Sequence, residues 1–155
     1  MQVLPHYISL NKIQKQDLPL RVTEEIFPIF ETTIKKEYTI AIGVSSGIDS
    51  MTLITLIIIR HYLKKYPLNH IHIIHCNHHI RKQSDEEQTF IQTFFKGLHI
   101  HTFKKDKKLK TDEKTLRQRR YQCFENITQQ ENIPFLFLGH HLEDRIESSF
   151  LNLMR

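Results

Sequence analysis

An apolar run that breaks into small polar residues constrains the fold of this 155-residue chain more than any other segment. Residues 40–44 (IAIGV) are followed by residues 45–50 (SSGIDS), and an apolar stretch then resumes over residues 51–59. This order predicts a buried strand, a tight turn and a helix, whose first backbone N–H groups can hold a phosphate. An ordinary strand-to-helix turn, capped by Asp49 or Ser50, explains the same segment equally well.

Short β-rich apolar runs alternate with longer helical patterns along the rest of the chain. Strands are predicted at residues 39–44, 70–75, 100–103 and 135–138, and helices at residues 50–65, 84–96, 113–131 and from 143 onward. This alternation is typical of βαβ units, so we expect an α/β fold with a parallel sheet and helices on both faces. Residues 1–37 are expected to form an N-terminal extension with a short helix starting at Thr23 or Glu24, and residues 38–155 the domain itself.

Composition limits the class of protein and its partners. With 39% hydrophobic residues, the chain has enough apolar material for one domain. Lysine and arginine outnumber aspartate and glutamate by 22 to 17, which favours a polyanionic partner such as nucleic acid. Cys76 and Cys123 lie far apart in the sequence without a CxxC pair, which argues against a disulfide framework and for a reducing compartment.

No segment of the sequence predicts a membrane protein. Residues 1–10 lack the basic start and long apolar core of a signal peptide, and residues 51–59 are too short to span a bilayer. We therefore expect a soluble protein without membrane contact, in a bacterial cytoplasm or in the stroma of an organelle.

Unusual residues follow the ends of three predicted strands, at residues 45–50, 76–81 and 139–147. Ligands of parallel α/β sheets bind at the carboxyl ends of the strands, so these segments are expected to line one site. Residues 75–81 (HCNHHIR) include zinc-ligand types, but no second cluster with metal-ligand spacing accompanies them. Phosphate or nucleotide contacts by His78 and Arg81 are the favoured interpretation.

Three further features have both a functional and an ordinary explanation. His70 and His72 alternate along a strand and are expected on its solvent-facing side. Arg117 and Arg120 share a helical face, which indicates polyphosphate or RNA contact as much as a solvated basic surface. The lysine-rich residues 104–110 are expected to form a solvated loop, with RNA contact as the less favoured alternative.

The last motif places acidic residues next to histidine. Asp144 and Glu147 share a helical face beside His141, where a magnesium ion or an ammonium group could be held. The helix macrodipole alone also accounts for acidic residues in a first helical turn.

Together, the four segments resemble the PP-loop ATP pyrophosphatase superfamily and, within it, the tRNA(Ile)-lysidine synthetases. Residues 45–50 are similar to the Ser-Gly-Gly-x-Asp-Ser loop, with Ser46 in place of the first glycine. The other matches are residues 75–81 to His-x-Asn-His-x-x-Arg, 84–86 to Ser-Asp-Glu, 116–121 to Ala-Arg-x-x-Arg-Tyr and 140–147 to His-His-x-Asp-Asp-Gln-x-Glu. Leu116 and Arg145 depart from the alanine and the glutamine of these patterns.

The resemblance implies a Rossmann-like PP-loop fold and a two-step reaction. ATP adenylates the wobble cytidine of an isoleucine tRNA, and free lysine then displaces AMP. The implied phosphate-binding residues are Ser45, Ser46, Gly47, Ile48, Asp49 and Ser50. Asp49 is implied to help hold Mg²⁺, and the implied catalytic residues are Asp49, Arg117 and His141. Contacts to substrate or RNA are implied for His78, Arg81, Arg117, Arg120, Asp144 and Glu147, with Asp144 also a candidate metal ligand.

The departures leave alternatives to an active synthetase. Ser46 adds a Cβ where the backbone of the loop can require unusual dihedral angles, which is expected to weaken ATP binding. Members of the family normally continue beyond the part matched here, so residues 38–155 are expected to be an incomplete catalytic domain. A weak nucleotide- or tRNA-binding remnant, or one part of a split enzyme with a partner chain, is the alternative function, and a homodimer stays open. A tRNA thiolase of the superfamily would be expected to bring paired cysteines.

Overall fold

A computed structural model describes residues 14–77, 83–104 and 112–139 of the chain. The strands are β1 (Ile40–Gly43), β2 (Ile71–Asn77), β3 (His99–Lys104) and β4 (Phe135–Leu138). The α-helices are α1 (Phe27–Thr33), α2 (Ile48–Leu63), α3 (Ser84–Phe94) and α4 (Glu113–Gln130). The four predicted strands and the first three predicted long helices are confirmed, whereas the helix predicted from residue 143 lies outside the described residues.

The four strands form one parallel sheet in the order β3-β2-β1-β4. The chain builds outward from β1 through β2 to β3, and then returns to place β4 on the other side of β1. The direction of building therefore reverses between β1 and β4, the point at which open α/β sheets form a ligand crevice. The predicted α/β fold is confirmed.

Apolar residues cover both faces of the sheet. Ile54, Ile57 and Ile58 are spaced to share one side of α2 and pack in a core with Ile42 and Ile73. On the opposite face, a second core holds Ala41, Ile74, Phe124, Ile127 and Ile133. Helices thus lie on both faces, and this explains why all four residues of β1 are buried.

The first part of the described chain contains a helical segment close to residues 23 and 24, where the sequence predicts that a short helix starts. A π-helical turn at Val22–Ile26 leads directly into α1, whose Phe27 and Phe30 are buried in the larger core. These contacts give the segment a packing role. The proposed boundary between residues 37 and 38 stays a prediction. Over the described ranges, the helices are all too short or too polar to cross a bilayer.

The expectation that His72 faces solvent is wrong. His72 is only 7% exposed, and His70 belongs to a short 3-10 helix (Leu68–His70) that precedes β2. His72 lies on the same side of β2 as Ile74, which packs against Phe124 and Ile127 of α4. Its Nδ1 is 3.0 Å from Nε2 of His101, and its ring stacks on His99 with centroids 4.6 Å apart.

This burial predicts an acid-sensitive fold. Burial first, and then the neighbouring His99 and His101, lower the pKa of His72 from 6.5 to about 4. The folded state therefore favours the neutral ring, so this contribution to stability is complete above pH 6.5 and is lost as the pH falls towards 4. In urea unfolding, we expect His72 to account for a loss of roughly 2 kcal/mol over this window.

Substitutions can isolate the contribution of His72 to the pH dependence of stability. His72→Asn should flatten part of the acid loss, whereas His70→Asn, which alters a histidine outside the two cores, should keep the wild-type dependence. Equal pH profiles for His72→Asn and the wild type would contradict the prediction.

Candidate functional site

A cavity of about 140 Å³ opens at the carboxyl ends of β1, β2 and β4, where the order of building reverses. It is lined by residues that follow β1, by the last residues of β2, by the start of α3 and by α4. All three segments expected at one rim contribute lining residues: Ser45 and Ser50 after β1, Cys76 and Asn77 at the end of β2, and Gly139 after β4. The cavity therefore lies at the edge of the sheet where the sequence predicts a site.

The turn after β1 presents the start of α2 to this cavity. Gly47 is the N-cap residue, in an extended conformation, and as a glycine it has no side chain to cap the helix. Asp49 and Ser50 lie inside the first turn, so neither is the N-cap residue that the ordinary explanation expected. Instead, the Oγ of Ser50 donates to the carbonyl of Gly47 at 3.0 Å and accepts from the N–H of Ser45 at 3.1 Å. The first backbone N–H groups of a helix can bind an anionic ligand.

Ser46 occupies a conformation that favours glycine. Its φ angle is +60°, in the left-handed region, where a Cβ is disfavoured. The unusual backbone dihedral angle expected at this position is thus observed, and the turn forms with serine in it.

His75 and Asn77 shape the wall of the cavity at the end of β2. Nδ1 of His75 lies 2.8 Å from the carbonyl of Val44, so this nitrogen carries the proton and Nε2 is an acceptor. Nε2 is buried and has no hydrogen-bond partner within the part of the chain that the structure describes. Burial lowers the pKa of His75, which keeps the ring neutral. Asn77 donates from Nδ2 to Asp85 at 2.9 Å and to Gln88 at 3.0 Å, which ties β2 to α3.

The two arginines predicted to act together lie in different surroundings. Arg120 lines the cavity, so α4 brings one guanidinium group to the site. Arg117 is exposed, and its guanidinium carbon lies 5.9 Å from the centre of the Tyr121 ring. The structure thus brings Arg120, and not Arg117, to the cavity next to the start of α2.

Residues 18–155 match the profile of the PP-loop domain family, which covers most of the chain. The chain belongs to the PP-loop family. The turn from Ser45 to Ser50, at the start of α2 and on the rim of the cavity, is the segment whose sequence resembles the loop of this family, and it is called the PP-loop from here on.

The chain is also similar in sequence to bacterial tRNA(Ile)-lysidine synthases. The chain is 38% identical to a tRNA(Ile)-lysidine synthase of Persephonella marina over 121 residues, which is 72% of this chain and 26% of that protein. It is 36% identical to the tRNA(Ile)-lysidine synthase of Streptococcus mutans, over 81% of this chain and 28% of that protein. The chain therefore spans about a quarter of the length of these relatives.

A solved structure supports the fold. The U34-tRNA thiolase NcsA of Methanococcus maripaludis, solved with its [4Fe-4S] cluster, superimposes with a TM-score of 0.61 over 86% of this chain and 49% of that chain. Sequence identity is 19%, so the similarity shows a shared fold.

Several predicted site residues cannot be placed next to the PP-loop. His78, Arg81, His141, Asp144 and Glu147 lie outside the described residues. Asp49 is exposed in the first turn of α2. Within residues 14–77, 83–104 and 112–139, no three His, Cys, Asp or Glu side chains are grouped to hold a metal ion.

The structure also pairs two residues that are far apart in the sequence. The thiols of Cys76 and Cys123 interact, and Cys76 lines the cavity. Burial raises the pKa of Cys76 to about 12 and also raises that of Cys123, so both are protonated thiols at neutral pH. Wide sequence spacing therefore hid a contact between β2 and α4.

Gly139 is the first residue of the segment 139–147 that the sequence places at the rim, and the sequence assigns it no function. A Cβ on Gly139 would lie 2.8 Å from the backbone nitrogen of Ser50 and 2.9 Å from its Cα. The chain after β4 thus packs directly on the backbone of the PP-loop helix. Its position at the end of a strand was a signal for close backbone approach.

The φ angle of Ser46 leads to a testable prediction. Ser46→Gly removes a disfavoured left-handed serine, so we expect a gain of about 0.5–1 kcal/mol in unfolding free energy, reduced by the greater freedom of glycine in the unfolded chain. If the relaxed loop also fits an anion better, ATP affinity should rise severalfold in an equilibrium titration.

A matched control exists outside the PP-loop. Lys65 has φ of +55° just after α2, so Lys65→Gly should give a similar stability gain without changing ATP affinity. Weaker ATP binding by Ser46→Gly would show instead that the serine hydroxyl contributes more than its backbone conformation costs.

Proposed function

We propose that this chain is the PP-loop part of an ATP-dependent tRNA-modifying ligase that makes lysidine in isoleucine tRNA. ATP would transfer AMP to the carbonyl oxygen of the wobble cytidine, with pyrophosphate as the leaving group. The amine of free lysine would then attack the activated carbon and release AMP. The names of the relatives support the reaction class and the tRNA.

The observation that carries the proposal is the start of α2 on the rim of the cavity, with Gly47 as its N-cap residue and with Arg120 lining the same cavity. Backbone N–H groups at a helix start stabilise negative charge, and a guanidinium group adds a charge-assisted donor. Negative charge develops on pyrophosphate as it leaves, so donors fixed at this place would stabilise the transition state. The short residues 45–50 would let the phosphates approach the backbone.

The donor set at the helix start is compatible with Mg²⁺. Protein-bound Mg²⁺ is commonly held by one or two carboxylates together with substrate phosphates and water, and the exposed carboxylate of Asp49 lies in the first turn of α2. When bound, Mg²⁺ would neutralise phosphate charge. The role of Asp49 would be to hold the ion next to the PP-loop.

The second step is assigned on the resemblance of residues outside the described ranges. We propose that His141 lines the reaction centre, and that Asp144 and Glu147 hold the ammonium group of lysine or a metal ion. His78 and Arg81 would contact substrate or RNA. A reaction between ATP and tRNA would place the protein in the cytoplasm or in an organelle stroma.

The test is incubation of the full chain with ATP, radiolabelled lysine and isoleucine tRNA. Lysine should enter the RNA only when both ATP and a wobble cytidine are present. Asp49→Asn should abolish this incorporation, and Glu37→Gln, which removes an exposed carboxylate of a different segment, should leave it intact. Incorporation by Asp49→Asn at the wild-type rate would remove Asp49 from the mechanism.

One observation favours a second candidate function. The strained conformation of Ser46 in the PP-loop would weaken ATP binding, as expected for a nucleotide- or tRNA-binding remnant, or for one part of a split enzyme. In that case ATP or tRNA would bind without lysine incorporation. Incorporation restored by a separately expressed C-terminal partner chain would identify a split enzyme, and sedimentation would show whether the active species is a homodimer.

A further inference from the structure

A second cavity, of about 260 Å³, lies at the other end of α2. Arg60 and Lys64, at the end of this helix, line it together with Lys15 and Glu31. Arg60 is twelve residues beyond Ile48 in α2, so about 18 Å of helix separates it from the PP-loop. This cavity is therefore distinct from the nucleotide site proposed above.

Arg60 is a buried cation with unmet hydrogen-bonding capacity. Its side chain is 1% exposed, although it lines the cavity. Nη2 donates to the carbonyl of Ile34 at 3.0 Å, and the guanidinium carbon lies 5.1 Å from the centre of the Tyr66 ring. Nε and Nη1 have no acceptor among the residues described by the structure. Such a buried, partly unsatisfied charge is costly unless an anion compensates it.

The charges around the cavity are mainly positive. Among the described residues that line it, Lys15, Arg60 and Lys64 accompany one carboxylate, that of Glu31, which pairs with Lys64 at 2.7 Å. The hydrogen bond from Lys64, followed by the charges of Lys64, Arg60 and Lys15, lowers the pKa of Glu31.

We propose that this cavity binds a small phosphate-bearing anion, with Arg60, Lys15 and Lys64 providing the complementary charge. Phosphate suits the site better than a monocarboxylate because it carries more negative charge and more acceptor oxygens. A volume of about 260 Å³ has room for several molecules the size of water, which is sufficient for free phosphate or the end of a phosphomonoester.

The test is titration of the full chain with inorganic phosphate, and in parallel with glycerol phosphate, at constant ionic strength and with ATP saturating the PP-loop. The NMR signal of the Arg60 Nε–H reports on the cavity because Arg60 lines it. We expect this signal to shift with saturation. A response to both ligands indicates a general phosphate site, and a response to one of them identifies its source.

Variants of the charged residues at the rim are expected to change phosphate affinity in opposite directions. Lys15→Gln and Lys64→Gln should each lower phosphate affinity about fivefold, and Glu31→Gln should raise it by a similar factor. Lys65→Gln, next in sequence but not lining the cavity, is the matched control and should leave the affinity unchanged. No shift of the Arg60 signal with either ligand, or an equal loss in the Lys65→Gln variant, would overturn the proposal.

Discussion

Replacement of Gly139 by alanine is expected to destabilise the protein by about 2–3 kcal/mol and to lower ATP affinity at least tenfold. The added Cβ would lie 2.8 Å from the nitrogen and 2.9 Å from the Cα of Ser50, and 3.0 Å from the carbonyl carbon of Asp49. These neighbours are backbone atoms, so no side-chain rotation relieves the overlap. Either β4 or the start of α2 must shift, and the second shift moves the N–H groups proposed to bind phosphate.

Urea unfolding and an ATP titration measure the two effects separately. Gly47→Ala is the control for stability, because its Cβ would meet only the Oγ of Ser45, at 3.3 Å, and its φ of −70° is open to any residue. We expect this control to cost less than about 1 kcal/mol. Wild-type stability in Gly139→Ala would show that the contact between the end of β4 and α2 is looser than the geometry indicates.

The sequence predicted the fold well because hydrophobic patterning dominates this architecture. β4 was predicted with its observed bounds, Phe135–Leu138, since a short apolar run followed a long helical pattern. The order of elements was also sufficient for the parallel sheet. His72 shows the limit: alternation identifies the two sides of a strand but not whether the polar side is covered, and here the rings of His99 and His101 stack on His72, which is buried.

The position of the cavity was predictable from the sequence, but the contacts around it were only partly predictable. The PP-loop segment, residues 45–50, was recognised because its residue types and spacing are local properties. The contact of Cys76 with Cys123 and the approach of Gly139 to Ser50 depend on how α4 and β4 return to the sheet. A local pattern, such as a glycine at the end of a strand, does not identify the partner of a long-range contact, so both contacts required the three-dimensional arrangement.

The two arginines of α4 allow a matched test of the nucleotide site. Arg120→Gln is expected to weaken ATP binding by about 10- to 100-fold, because a charge-assisted contact to phosphate contributes roughly 1.5–3 kcal/mol. Arg120 lines the cavity beside the PP-loop, whereas Arg117, one turn earlier on the same helix, is exposed near Tyr121. Arg117→Gln removes the same charge and should change ATP affinity less than about twofold in the presence of salt.

Variants of Arg117 and Arg120 also allow ATP binding and RNA binding to be tested separately. If Arg117 contacts RNA, as its exposed position allows, Arg117→Gln should weaken tRNA binding and reduce its salt dependence while ATP affinity is kept. Equilibrium dialysis with ATP and filter binding with tRNA over a salt series measure the two affinities independently. Equal losses of ATP affinity in both variants would mean that the general positive charge of α4, and not the placement of Arg120 at the cavity, attracts the nucleotide.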